Sequence, residues 1–408
     1  MKIDRNQFLE EGYVILRNVI PADELDALRA SYEILVERQK IIWVQERQPD
    51  DPAGGVWESS AQPRLLLHRS PLADLIDEDT ASAVEIWLHE NTQGASSELL
   101  GVSDAAVTEM MLMCNPVRDR GPAHWHRDLY PPYGAPLQGY VDDIIESGPR
   151  YVQWNLCLYD DDVLWVIPGS HARLNTGREN ELLRTNRYTP FPGGVQTHLN
   201  AGDGVAYILP ILHWGSNYST KMRRTIHGGF STFTQYGNQS YMKYLSTSAQ
   251  ETFARWIQRS DQMITHTESI LRAAIERDPA AYHASLEKLH PGRGEKGKML
   301  STVYLSKIAR RVYECKQPDF ENLPEENRAW TIRSHPITLQ WGLPLADRFS
   351  FEEARTLWDR FKPVDARTQS DVEGAAPGYE NRPSRYYFNE MPTDYSVEDF
   401  TTSWMQSG

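Results

Sequence analysis

His124-Trp125-His126-Arg127-Asp128 is the stretch on which the reading of this chain turns. In an extended strand side chains alternate between faces, so residues i and i+2 point the same way. His126 and Asp128 would then offer an imidazole nitrogen and a carboxylate oxygen to one point. Two His and one carboxylate on one face, with open positions opposite, suit non-heme Fe(II) oxygenases. The second His has to come from elsewhere, and His213 is the candidate, in Leu212-His213-Trp214-Gly215-Ser216-Asn217. Taken alone, the triplet is weak: a chain with 12 His can place one beside an Asp on a solvent-facing strand by chance. Its surroundings carry the argument.

The 408 residues allow one large domain or two medium ones, with a substantial core. Hydrophobic residues at 40% and charged residues at 24% are ordinary for a soluble globular protein. A net charge of −14, from 56 acidic and 42 basic residues, argues against nucleic-acid or anionic-membrane partners. It leaves room for a local basic pocket and a small anionic ligand. Cys114, Cys157 and Cys315 are odd in number and widely spaced, which suggests no disulfide framework and suits a reducing compartment. The N-terminus Met1-Lys2-Ile3-Asp4-Arg5-Asn6 has no apolar signal region. No apolar run approaches the roughly 20 residues that span a bilayer. The expectation is a cytoplasmic protein with a small-molecule substrate; the sequence says nothing of its oligomeric state. The 12 Trp and 20 Tyr imply a large aromatic core, and Trp125, Tyr130, Tyr133, Tyr140, Tyr151, Trp154, Trp165 and Trp214 cluster near the candidate site.

Along the chain, a short helix stopped at Gly12 precedes a strand over about 13–16. Pro21-Ala22-Asp23-Glu24-Leu25 opens a helix that apolar spacing carries to about residue 40. Residues 46–63 read as a loop, and a helix is expected over about 70–90. From 107 the pattern turns to strands: 107–114, 124–128, 151–159, 164–167, 205–209 and 223–230. Short strands broken by turns, without helices between them, predict a mainly β, double-sheet jelly roll. Residues 129–150 are rich in Pro and Gly without periodicity, and their place directly after the ligand pair suggests a lid. Residues 248–290 and 298–315 read as helices, and the last hundred residues resist placement. The expected domains are a catalytic jelly roll with N-terminal helices over 1–240 and a helical extension over 241–408 packing on it.

Several separated pieces together resemble the phytanoyl-CoA dioxygenase family of Fe(II)/2-oxoglutarate-dependent oxygenases. They are Phe8-Leu9-Glu10-Glu11-Gly12-Tyr13-Val14-Ile15-Leu16-Arg17-Asn18-Val19, His126-Arg127-Asp128, Leu164-Trp165-Val166-Ile167-Pro168-Gly169-Ser170-His171, Gly202-Asp203, and His213-Trp214-Gly215-Ser216-Asn217 followed by Arg223-Arg224. They stand in the family's order at family-like spacings. The resemblance implies a double-stranded β-helix core, with His126, Asp128 and His213 as metal ligands. It also implies Fe(II), 2-oxoglutarate and O₂ as cofactor and co-substrates. An arginine after the distal His would bind the 5-carboxylate of 2-oxoglutarate. Counting back from Asn217 favours Arg223, while counting from His213 allows Arg224, and in a strand only one of them can face the pocket. One departure is the short link Asp160-Asp161-Asp162-Val163-Leu164, where the family often carries an acidic residue, Asn and Gly.

The chemistry accounts for these residue types. Three protein ligands leave iron with open positions for a chelating 2-oxo acid and for O₂, while the protein positions and protects. A guanidinium fork matches a carboxylate in a way that Lys cannot. The Asp128 carboxylate argues for oxygen insertion over halogenation, since related halogenases lack it. Gln153 and Asn155 share a strand face with Cys157 and are candidates to bind 2-oxoglutarate or substrate; Asn115 is a weaker one. His124 shares the face of His126, so geometry alone does not choose between them, though the family register favours His126. His171 belongs to the Pro-Gly-Ser-His turn and His227 is expected near the arginine; neither receives a role. The function expected is a 2-oxoglutarate-dependent hydroxylase of a small organic metabolite. The competing readings are a non-catalytic jelly-roll binding protein and a metal hydrolase on the same ligands.

Overall fold

The computed structural model describes residues 1–129, 135–322, 345–369, 374–378, 380 and 391–406. Tyr130 and Tyr133, in the 130–134 part of the 129–150 insert, lie outside the described residues, as does much of the final hundred. The chain divides into two compact units. The first takes Met1–Asp128, Arg150–His171 and Asn175–Ile257; the second takes Leu129–Pro149, Ala172–Leu174 and Gln258–Gly408.

The first unit opens with helix α1 (Arg5–Glu11), which stops where Gly12 turns left-handed at φ 84 and donates its N–H to the Phe8 carbonyl. Strand β1 (Tyr13–Leu16) follows, and then α2 (Leu25–Gln45), longer than expected. The remaining strands are β2 (Arg64–Leu66), β3 (Ala106–Cys114), β4 (Val152–Cys157), β5 (Leu164–Val166), β6 (Val195–Gln196), β7 (Gly204–Ile208), β8 (His213–Gly215) and β9 (Arg224–Ser231). They form a six-stranded sheet in the order β1-β7-β4-β9-β3-β2 and a three-stranded sheet β6-β5-β8. Every pairing is antiparallel.

Period-two alternation sorts the small sheet. Leu164 and Val166 face a core shared with Tyr13, Cys157, Val205 and Tyr207 of the large sheet. Trp165 and Trp214 face the other way, into a cluster with Trp125, Leu182 and Phe191. The Gly202-Asp203 turn is a fastening point. Asp203 accepts from the Asn18 N–H at 3.0 Å and the Asn200 N–H at 2.9 Å, and pairs with Arg17 at 2.6 Å. It thereby ties the end of β1 to the start of β7.

Three expectations are corrected. The helix over 70–90 is broken into short pieces, Ala73–Leu75, Ser82–Glu85 and Ile86–Leu88. Asp77 and Thr80 bond to each other's backbone and side chain there, in local competition with the helical ladder. Residues 124–128 are not a ladder strand; only His126 pairs, in an isolated bridge. The 129–150 insert holds a helix, α3 (Leu137–Ser147), which its Pro and Gly residues concealed.

Helix α4 (Thr247–Glu276) begins in the first unit and runs into the second. The second unit continues with α5 (Pro279–Leu289), α6 (Glu295–Cys315), α7 (Phe351–Arg367) and α8 (Val397–Gln406). Here α3 packs on α6, with Tyr140 edge-on to Tyr304 at 5.9 Å. A Cβ on Gly139 would lie 2.9 Å from Met391 Sδ, so a larger residue there would oblige the Met391 side chain to shift. Glu146 of α3 accepts from the Lys296 and Gly297 N–H groups at the start of α6. A buried ion pair joins Lys307 of α6 to Asp365 of α7; burial draws the ammonium pKa down to about 8 although Asp365 opposes the shift. Among the described residues no helix is long and apolar enough to cross a membrane.

Candidate active site

The two histidines meet because they are paired. His126 N–H donates to the His213 carbonyl at 3.0 Å, and His213 N–H donates back to His126 at 3.0 Å. Residues directly opposite in an antiparallel pair project to the same side. Their rings stand 4.3 Å apart. Although no ladder extends along 124–128, the alternation survives: Trp125 enters the tryptophan cluster while His126 faces the opposite way. Arg127 is buried and donates to the Ser170 carbonyl at 2.7 Å, to Asn175 Oδ1 at 2.9 Å and to the Pro210 carbonyl. Pro210 lies just upstream of His213, so Arg127 fastens one ligand-bearing segment to the other.

The imidazoles are oriented alike. His126 Nδ1 lies 2.8 Å from the His124 carbonyl and His213 Nδ1 3.0 Å from the Ile211 carbonyl. A carbonyl only accepts, so each Nδ1 carries the hydrogen and each Nε2 keeps its lone pair. His126 Nε2 is 3.3 Å from Asp128 Oδ1, and His213 Nε2 is 3.5 Å from Asp128 Oδ2. One donor atom from each of the three lies within 4.8 Å of the others. Adjacent ligands on a metal with bonds of about 2.1 Å stand roughly 3 Å apart, so this cluster suits a divalent cation. Burial opposes charge on Asp128, but His213, His126 and Gln153 outweigh it and hold the carboxyl well below the usual range. Burial and the neighbouring His126 lower the His213 pKa to about 4. Burial also disfavours charge on His126, but Asp128 beside it wins and raises that pKa. Neutral His213 and ionised Asp128 are the states that ligate a metal.

These residues line an open cleft together with Gln153, Asn155, Arg223 and His227. The neighbouring arginines part company. Arg223 faces the cleft. Its Nε donates to Asp161 Oδ2 at 2.7 Å, while its buried Nη1 has no hydrogen-bond partner among the described residues. Such an atom is costly unless something fills its need, and a carboxylate in the cleft would. Arg224 faces the other side of β9, where it pairs with Glu33 at 2.8 Å and donates to Asn115 Oδ1 at 2.8 Å. Arg224 is therefore removed from the candidates for a ligand in this cleft, because alternation along the strand turns it away. Asn115 goes with it, its Oδ1 taken by Arg224 and by the Arg223 N–H.

Gln153 and Asn155 do line the cleft, but their nearest polar partners are protein atoms. Gln153 Nε2 donates to Asp128 Oδ2 at 2.8 Å, and Asn155 Oδ1 lies 2.6 Å from His227 Nδ1. His124 stays outside the three-ligand group and contributes its carbonyl to His126. His171 points at the Leu9 carbonyl, away from the site. Sequence reasoning missed Asp161, and it expected His227 near the arginine without giving it a role. Asp161 is almost fully buried and holds Arg223, Thr225 Oγ1 and the Val163 N–H at once. It lies in the acidic run that departs from the family pattern, so the run itself was the signal. His227 shares the face of Arg223 and Thr225 on β9, and period two would have placed it there.

The family profile described as Phytanoyl-CoA dioxygenase (PhyH) matches residues 8–225. No curated protein matches the chain. Among solved structures it is similar to the non-heme alpha ketoglutarate dependent epimerase SnoN from nogalamycin biosynthesis, at 16% identity and TM-score 0.37, covering 56% of this chain and 79% of that one. It is similar to EctD from S. alaskensis in its apoform, at 17% identity and TM-score 0.37, covering 56% and 75%. It is also similar to EvdO2 from Micromonospora carbonacea var. aurantiaca complexed with 2-oxoglutarate, at 18% identity and TM-score 0.37, covering 60% and 98%.

Proposed function

The chain belongs to the phytanoyl-CoA dioxygenase family, and from that premise we propose that it hydroxylates a small organic metabolite while 2-oxoglutarate is decarboxylated to succinate. Iron, 2-oxoglutarate and dioxygen are its cofactor and co-substrates. His126, Asp128 and His213 would hold the iron, which supplies the redox chemistry that no side chain here can provide. Arg223, braced by Asp161, would take the distal carboxylate of 2-oxoglutarate. Gln153 and Asn155, which line the cleft, would bond the co-substrate or the substrate. The apolar wall of Met113, Val163, Leu164 and Tyr207 would limit water around the reacting groups. We read the two facing sheets as a double-stranded β-helix. The catalytic domain would take residues 1–240 and the helical extension 241–408, in a cytoplasmic protein.

The observation that carries this reading is Arg223, which lines the same cleft as His126, Asp128 and His213 and whose buried Nη1 has no hydrogen-bond partner among the described residues. A 2-oxoglutarate-binding arginine has no purpose in a zinc hydrolase on the same ligands. The test is anaerobic addition of Fe(II) and 2-oxoglutarate. A weak visible charge-transfer band is expected from the wild type and none from Asp128→Ala. With air and 2-oxoglutarate the wild type should then release succinate. A band without succinate under any substrate would favour the binding-protein reading; neither band nor succinate would defeat the oxygenase.

A further inference from the structure

Asp128 does not stand on its own. Gln153 Nε2 is 2.8 Å from Asp128 Oδ2 and 3.2 Å from His227 Nε2, and His227 Nδ1 is 2.6 Å from Asn155 Oδ1. Four side chains thus form one line from β9 and β4 to the carboxylate. Each of the two contacts beyond the carboxylate could in principle run in either direction, since an amide can turn over and an imidazole can shift its hydrogen. The carboxylate removes that freedom. It only accepts, so the amide must present N–H to it and not oxygen. The same nitrogen then points its second hydrogen at His227 Nε2, which must be bare. His227 must therefore carry its hydrogen on Nδ1 and give it to Asn155 Oδ1. Any other arrangement sets an oxygen against the carboxylate or two hydrogens against each other. Burial, helped by the positive charge of Arg64, lowers the His227 pKa to about 3, which keeps Nε2 free to accept.

We propose that His227, seated on Asn155, is a positioning residue that fixes the Gln153 amide and through it the orientation of the Asp128 carboxylate toward the metal. Gln153 takes up one carboxylate oxygen, and the other stays turned toward His126 Nε2, 3.3 Å away. His227 does not touch the reacting atoms; it acts through Gln153. The three members behind the carboxylate share one sheet surface: Gln153 stands opposite Gly229 and Asn155 opposite His227 in the β4–β9 register. The line is consequently as rigid as the paired strands that bear it.

This inference rests on the proposed metal site, and the experiment separates the two. The probe is Co(II), redox-inert here, titrated into the whole protein without 2-oxoglutarate or oxygen turnover. If the wild type fails to bind Co(II), the site reading itself is wrong. Given binding, His227→Phe should weaken Co(II) affinity about tenfold, the lower end for partners that orient metal ligands. Gln153→Leu should do the same, and the double variant should be no worse than either single one, because the residues act as a unit. His227→Gln keeps an acceptor near the old Nε2 position and should restore most of the affinity. His227→Asn keeps only the Nδ1-like donor and should behave as the Phe variant does. Full additivity of the two single losses, or wild-type affinity in His227→Phe, would overturn the proposal. Should His227→Phe fail to fold, the Gln and Asn variants carry the same discrimination: equal affinities would sink it.

Discussion

A carboxylate entering the cleft would meet Arg223 and not Arg224. The two adjoin in sequence, and β9 sends their side chains to opposite faces. Arg223→Ala would remove the group braced by Asp161 and leave both Asp161 and the co-substrate carboxylate without a charge partner. Truncating one member of a buried, hydrogen-bonded charge pair costs on the order of 2–5 kcal/mol, so the 2-oxoglutarate requirement should rise at least about thirtyfold. Arg224→Ala should leave that requirement near the wild-type value and show its effect in thermal stability, through the lost contacts to Glu33 and Asn115. Steady-state kinetics in 2-oxoglutarate, beside melting curves for both variants, decide the matter. Equal and mild kinetic effects would mean that neither arginine clamps the co-substrate. At this scale the residue types were legible from the sequence. The choice between adjacent arginines was not, because a register shift of one residue exchanges the faces.

Among the elements, β9 is the most constrained. It lies between β4 and β3 and carries Thr225 and His227 on the face that Arg223 also shares. The β3–β9 register slips between Val107 and Glu109, and the irregularity brings the Glu109 carbonyl over Gly228. A Cβ at 228 would lie 1.9 Å from that oxygen and 2.7 Å from the Trp87 ring. Gly228→Ala should therefore destabilise by more than the usual 1–3 kcal/mol of an overpacked core, with loss of metal binding following from the displaced strand. Denaturant unfolding compared with Gly237→Ala, where a Cβ meets nothing within 4 Å, gives the check. An unchanged midpoint for Gly228→Ala would show that the strands can part at that point at little cost. Strand existence was readable from β-branched and aromatic runs. The bulge was not, since it arises from how two strands meet.

In the whole molecule, the chain leaves the first unit directly after Asp128 and re-enters at Arg150, close before Gln153, which bonds Asp128. The excursion between them belongs to the second unit. There α3 buries Leu137, Tyr140 and Val141, and Arg293 holds its end by donating to the Gly148 carbonyl at 2.7 Å and the Pro149 carbonyl at 3.2 Å. A chain ending at residue 257 should accordingly expose an apolar helix face and aggregate, whereas replacing 130–149 by a short polar linker in that shortened chain should recover soluble protein. Size-exclusion profiles of the two test this; a monodisperse 1–257 chain would mean that the insert does not depend on the later helices. The sequence by itself determined the residue types of the candidate site, the strand-rich middle and the helices that follow it up to about residue 315, because composition and period are local properties of the chain. It also placed His126, Asp128 and His213 in one expected cluster through the order of separated motifs. Only the tertiary structure decided which arginine faces inward, that Asp161 braces it, that His227 stands behind the carboxylate, and that the insert helix packs with the C-terminal helices. Each of these depends on pairing register and on contacts between residues far apart in sequence, and no local pattern encodes those.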